Sequence, residues 1–265
     1  MPLLETLSDS VRAAIPFITK PARCLLDRVD GTDARQAILG DTVEIDGKVV
    51  SAARDRALKA GTVPKRNPVV LVHGFVSPAD WWNPIKGDLK KAGYKDFATF
   101  DYYPAITSLD GYSKRLKAVV EDLKARTGAK KVDILAHSEG GLVARNMVKK
   151  YGMSGEIDHM VMFGTPNHGT ALTDIAAPLR PLLPSDWSED AMTPGGKFLK
   201  ALNRSDETPG RTKYTTITAG NDEIVFPHAT VALKGATNLR VPGTFHIGML
   251  YNKMARKLAL RQLKA

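Results

Sequence analysis

A mostly parallel α/β sheet with helices on both faces is the fold this chain predicts, and three observations carry it. From Val69 onward, short β-branched and apolar runs alternate with amphipathic stretches, the rhythm of βαβ units. The run Val69–Val72 is apolar at every position, as a strand covered on both faces must be. In VDILAHSEGG (132–141), a buried strand passes directly into a helix start through a corner of small residues.

Residues 1–66 read as an N-terminal extension packed on the core, which is expected over 67–265. Within the extension, Leu3–Ile18 and Ala22–Leu26 look helical, with Pro16 and Pro21 as interruptions. VEIDGKVV (43–50) suits a hairpin turning at Asp46-Gly47. No chemistry is visible there.

After strand 69–72, Trp82, Ile85 and Leu89 share one helix face that ends at Gly93. Phe97–Phe100 is a second strand, ending at Asp101. Tyr112, Leu116, Val119, Val120 and Leu123 form a helix stripe closed by Gly128. The corner strand and its helix follow, then strands His159–Phe163, Lys213–Thr218 and Leu239–Val241. The spacing predicts a closing helix with Ile247, Leu250, Tyr251, Met254 and Leu258 on one face. Residues 171–210 break the rhythm, with prolines at 178, 181, 184, 194 and 209. Ile175, Leu179, Leu182, Leu183 and Trp187 there suit an apolar lid, or a surface excursion packed on the core.

The chain has 265 residues and a single cysteine, Cys24, which excludes an intramolecular disulfide and a cysteine metal cluster. Its net charge of +10 is dispersed over helix faces without interleaved aromatics, so no nucleic-acid partner is expected. A weak attraction to anionic surfaces, lipid interfaces included, fits that charge. No stretch approaches the ~18 apolar residues of a membrane span. Glu5, Asp9, Arg12 and Pro16 break any signal-peptide pattern, so the chain reads as cytoplasmic as written, or as exported with its leader removed. No metal site and no cofactor are expected.

The chemistry centres on Ser138. A serine exposed on a tight strand-to-helix turn needs small residues two positions before and after it, here Ala136 and Gly140. Its hydroxyl attacks only if a base takes its proton and a third group orients the base. At the carboxyl ends of parallel strands the expected chain order is serine, acid, histidine. Of six histidines, only His228 and His246 follow a plausible acid; His228 is six positions after Asp222 and reads as part of the same element, whereas His246 follows a further strand and a Pro-Gly turn, just before the last helix. Asp222 lies past the strand 213–218 in AGNDEIVFP, and spacing leaves Glu223 open beside it. An oxyanion needs two fixed donors, for which the backbone N–H groups of Glu139 and Phe75 are the candidates. His73, beside Phe75, suits a structural role in holding that loop.

VVLVHGF, VDILAHSEGG, FGTPNHG, AGNDEIVFP and VPGTFHIGMLY together resemble an α/β-hydrolase of the bacterial lipase group. TGAKKVDILAHS and HIGMLY resemble more narrowly the small Bacillus-type lipases, whose nucleophile box also begins with Ala. The resemblance covers 67–265. It implies cofactor-independent hydrolysis of a small-molecule or lipid ester, with Ser138 as nucleophile, His246 as base and Asp222 as acid. AGNDEIVFP also resembles a segment of fungal and actinobacterial lipases whose Asp is the triad acid, which favours Asp222 over Glu223. Trp81, Trp82, Leu179 and Leu182 are the expected acyl-pocket residues. A polyester depolymerase or acyltransferase would use the same triad, and a non-catalytic binding protein would keep only the fold. Two departures stand out: Glu139 replaces the usual apolar residue, and 171–210 is longer than in lidless relatives.

Overall fold

The computed structural model describes residues 66–75, 77, 79–101, 108–173 and 189–264. The expected N-terminal helices and hairpin, and Leu179 and Leu182, lie outside them. Six strands form one sheet: β1 (Val69–Val72), β2 (Phe97–Phe100), β3 (Val132–His137), β4 (Ile157–Phe163), β5 (Lys213–Ala219) and β6 (Thr237–Val241). Their order is β2-β1-β3-β4-β5-β6, and every neighbouring pair is parallel. Three expected strands are longer in the structure, β4 by Ile157 and Asp158, β5 by Ala219 and β6 by Thr237 and Asn238.

Alternation within each strand builds two apolar layers. Val70, Val72, Ile134, Ala136, Met160 and Met162 face α2 (Leu109–Thr127) and α3 (Glu139–Tyr151). Val69, Leu71, Leu135, Val161, Phe163 and Ile217 face α1 (Asn83–Lys91) and α6 (Lys253–Gln262). Period-two side-chain direction sends neighbouring residues to opposite layers, so a run apolar at every position covers both. The helices are bounded locally. Ser108 Oγ accepts from Gly111 N at 3.2 Å to cap α2, and Gly128 closes it with φ 69°.

The sheet order positions the site. From β1 the chain moves outward to β2, then returns through α2 to β3 on the other side of β1. The loops leaving β1 and β3 therefore diverge from adjacent strands, with Val72 paired to Ala136 at their ends. A crevice at such a switch point is where open α/β sheets bind ligands.

Two expectations need adjustment. The closing helix is two pieces: one turn over Ile247–Leu250, then α6. Asn252 separates them because its side chain accepts from the backbone N–H groups of Met254 and Ala255, so it starts a new helix. Tyr251 and Met254, expected on the inward face of a single helix, are exposed. Within 171–210, the chain forms α4 (Glu189–Met192) and α5 (Lys197–Asn203). Ala191, Met192, Leu199 and Leu202 join the layer beneath α2 and α3. Lys149 of α3 donates to the carbonyls of Leu202, Arg204 and Asp206, tying down the end of α5. Residues 189–210 are thus packed on the core.

Candidate active site

Ser138 sits between β3 and α3 with φ 54° and ψ −130°, a left-handed conformation that costs a non-glycine residue of order 1–3 kcal/mol. Its surroundings hold it there. Its N–H donates to Phe163 O at 2.8 Å, and its carbonyl accepts from Gly141 N at 3.0 Å and Thr165 Oγ1 at 2.9 Å. The side chain makes no capping bond to α3. Gly140 gives the close packing expected of it: a Cβ there would stand 2.2 Å from His73 O. Gly74 serves from the other side, since its Cβ would lie 2.7 Å from Ser138 Cβ. Glycine at both positions lets the loop after β1 lie directly on the turn.

His246 follows β6, and its ring is held by Asp222. Nδ1 donates to the Asp222 carboxylate, 3.0 Å from each oxygen. Both residues are buried. The Asp222 carboxylate also accepts from Ile224 N at 3.1 Å and Val225 N at 2.7 Å. Burial pushes this carboxyl up, but the facing His246, its hydrogen bond and the two backbone donors outweigh burial and hold it below its ordinary value. His246 also lies against the serine turn, with its ring centroid 4.7 Å from that of His137.

Glu139 heads α3 and is buried. The first N–H groups of a helix have no partner within it and carry the positive end of the dipole, which suits an oxyanion. The 73–77 loop is closed by Ser77 N donating to Gly74 O at 3.3 Å and Ser77 Oγ to Phe75 O at 3.2 Å. His73 anchors this loop, with Nε2 3.0 Å from Asp101 Oδ1 and Nδ1 2.7 Å from Gly74 O.

This architecture is that of a known group of proteins. A sequence model of the family described as lipase (class 2) matches residues 66–259. The chain belongs to the class 2 lipase family. Among curated relatives, a triacylglycerol lipase of Burkholderia plantarii is 32% identical over 131 residues, covering 46% of this chain and 36% of the relative. A triacylglycerol lipase of Pseudarthrobacter phenanthrenivorans is 32% identical over 116 residues, 41% of this chain and 36% of the relative. The matched segment thus spans about a third of these relatives' length. The mature form of Bacillus licheniformis lipase BlEst2 has a similar fold, with TM-score 0.65 at 23% identity, over 76% of this chain and 93% of that one.

In this class 2 lipase family member, the GTPNHGT segment (164–170) after β4 stitches the site together. Thr170 Oγ1 donates to Ile224 O at 2.7 Å and accepts from Phe226 N at 3.3 Å, fixing the loop that carries Asp222. Asn167 donates to Val231 O at 2.6 Å and accepts from buried Arg145 at 3.1 Å. His168 Nε2 pairs with Glu207 Oε1 at 2.8 Å, a structural contact. His228 Nε2 donates to Asp222 O at 3.1 Å.

The two tryptophans expected at the acyl pocket differ in burial. Trp82 is fully buried, packing edge-on to Phe163 at 6.3 Å in the layer beneath α1. With no exposed surface it belongs to the core, because the turn before α1 aims it at the sheet. Trp81 is half-buried against the same layer. Among the described residues, one group has the makings of a metal site: Asp133, Asp158 and His159, with ligand atoms within 4.8 Å of one another. It sits towards the amino ends of β3 and β4, away from Ser138. Asn67 already bridges both carboxylates at 3.2 Å, and Lys131 pairs with Asp158 at 3.1 Å.

Sequence reading missed three contributors: Thr165, Gly164 and the main-chain partners of His246. Thr165 and Gly164 stand in FGTPNHG, whose backbone contacts leave no mark in spacing. Glu223 was visible as a carboxylate, but its bond to a main-chain N–H was not.

Proposed function

We propose that this chain is a serine-dependent carboxylic ester hydrolase acting on lipid esters. The observation that carries it is the wiring of His246 to Asp222 beside a serine held at positive φ with its side chain unused in capping. Ser138 Oγ attacks the ester carbonyl as His246 Nε2 takes its proton. The Glu139 and Phe75 amides receive the oxyanion, and His246 then protonates the leaving alcohol. Water repeats the sequence on the acyl-enzyme and releases the acid. Ser138→Ala lowers p-nitrophenyl ester hydrolysis by at least about 10³-fold and abolishes fluorophosphonate labelling. An unchanged rate overturns the mechanism. A non-catalytic binding protein would have no use for the buried Asp222–His246 pair or the strained serine.

A lipid rather than a small soluble ester is favoured by the surface beside His246. Phe245 is 57% exposed, Tyr251 50% and Met254 57%, the large apolar side chains most open to solvent among the described residues. Met249 N donates to Phe245 O, and Asn252 Nδ2 to Thr244 Oγ1, so these residues share one corner. Exposed Lys253 and Lys257 lie next to it on α6. Apolar side chains ringed by cations suit an anionic lipid interface. Replacing Tyr251 and Met254 together by Ser lowers the ratio of emulsified-triglyceride to soluble-ester rate about tenfold, the effect of losing ~1.4 kcal/mol of interfacial contact from two partly inserted side chains. An unchanged ratio removes this surface from the reading.

A further inference from the structure

The Asp222–His246 pair fixes one nitrogen of a ring, and one nitrogen does not fix a ring's aim. His246 stands outside any regular element, between β6 and the turn Ile247–Leu250. Its buried main chain has to find partners from elsewhere in the fold. On one side, Glu223 Oε2 accepts from His246 N at 3.0 Å. On the other, His137 Nε2 donates to His246 O at 3.2 Å. We propose that Glu223 is a positioning residue, which with His137 clamps the main chain of His246 so that its free Nε2 is aimed at Ser138. This rests on the reading of Ser138 and His246 as nucleophile and base.

Three features make the clamp a device for aiming. Asp222 and Glu223 are consecutive, so one loop grips His246 by its ring and by its backbone. That loop is itself immobilised by Thr170 and His228. His137 directly precedes Ser138, so the base is tied to the chain segment that carries the nucleophile. A shift of the turn carries both groups together.

His137 is suited to this task alone. Burial first, then the neighbouring His246, lowers it to about 3, so it stays neutral and does not compete for the proton. A neutral imidazole donating from Nε2 leaves Nδ1 a bare acceptor, and that atom is indeed buried without a partner. It faces Gly74, where a Cβ would lie 3.2 Å away.

Glu223 is half-buried, so it is the safer side to test. Glu223→Ala removes the acceptor, whereas Glu223→Gln keeps a carbonyl oxygen for the His246 N–H. Rates on a soluble p-nitrophenyl ester are normalised to active sites titrated with a fluorophosphonate, which counts only correctly folded enzyme. Glu223→Ala lowers kcat per site about 10- to 100-fold with KM nearly unchanged, the size expected when a reacting group is displaced. Glu223→Gln stays within about threefold of the parent. The inference is overturned if Glu223→Ala only lowers the number of titratable sites, or if Gln is as damaging as Ala. A parent enzyme that neither turns over nor labels overturns the functional reading instead, so the two failures are distinct.

Discussion

Asp222→Asn lowers kcat by about 10³- to 10⁴-fold while leaving the fold intact, the largest loss expected from a near-isosteric change in this chain. An Asn oxygen can still accept from Ile224 and Val225, so the loop keeps its shape. Its amide hydrogens then face His246 Nδ1, which must become an acceptor. The ring proton moves to Nε2, the nitrogen that takes a proton from Ser138 in the proposed mechanism. KM changes little, because Asp222 is buried against the His246 ring. A loss below tenfold would remove Asp222 as the acid. The same substitution alters acid stability. With the folded-state carboxyl held below its ordinary 3.8, its contribution is complete above that value and is lost as pH falls through the lowered one. Acid-unfolding profiles of parent and Asp222→Asn therefore converge at the acid end and separate above it.

Gly164→Ala is expected to disable the same pair from the opposite wall. Gly164 follows β4 with φ 55°, and a Cβ there would lie 2.7 Å from Met249 Cε and 2.9 Å and 3.0 Å from His246 Nδ1 and Cε1. The methionine tip can yield. The imidazole cannot, because its ring and both ends of its peptide unit are held. Alanine costs of order 1–2 kcal/mol in backbone strain, and a base displaced by ~1 Å costs on the order of 100-fold in kcat. Calorimetry and steady-state kinetics read the two effects separately. Gly155→Ala, where nothing stands within 4 Å of the added carbon, serves as the control. Equal behaviour of the two variants would show that Gly164 does not set the position of His246.

The strands were legible because a doubly covered sheet forces continuous apolar runs, and Val69–Val72 and Ile134–Ala136 have no competing reading. The turn at Ser138 was legible for a similar reason: steric crowding leaves only small residues at 136 and 140. Trp82 shows the limit. An aromatic near a predicted oxyanion loop suits a pocket and a core equally well, and only the orientation of the turn before α1 turns it inward. The closing helix shows another. Its apolar spacing passes smoothly through Asn252, whose capping bonds are local but invisible to periodicity.

What the sequence determined alone is what depends on neighbours along the chain: the βαβ rhythm, the tight serine corner, and the order of a serine, a carboxylate at 222 or 223, and His246. The tertiary structure alone decided what depends on contacts across tens of residues. It separated the roles of two adjacent carboxylates, giving Asp222 to the ring of His246 and Glu223 to its backbone. It also set Gly74, Gly140 and Gly164 where no side chain fits. The physical reason is one of range. Steric and propensity limits act within a few residues, whereas a hydrogen bond between residues 137 and 246 exists only once the sheet has brought their strands together.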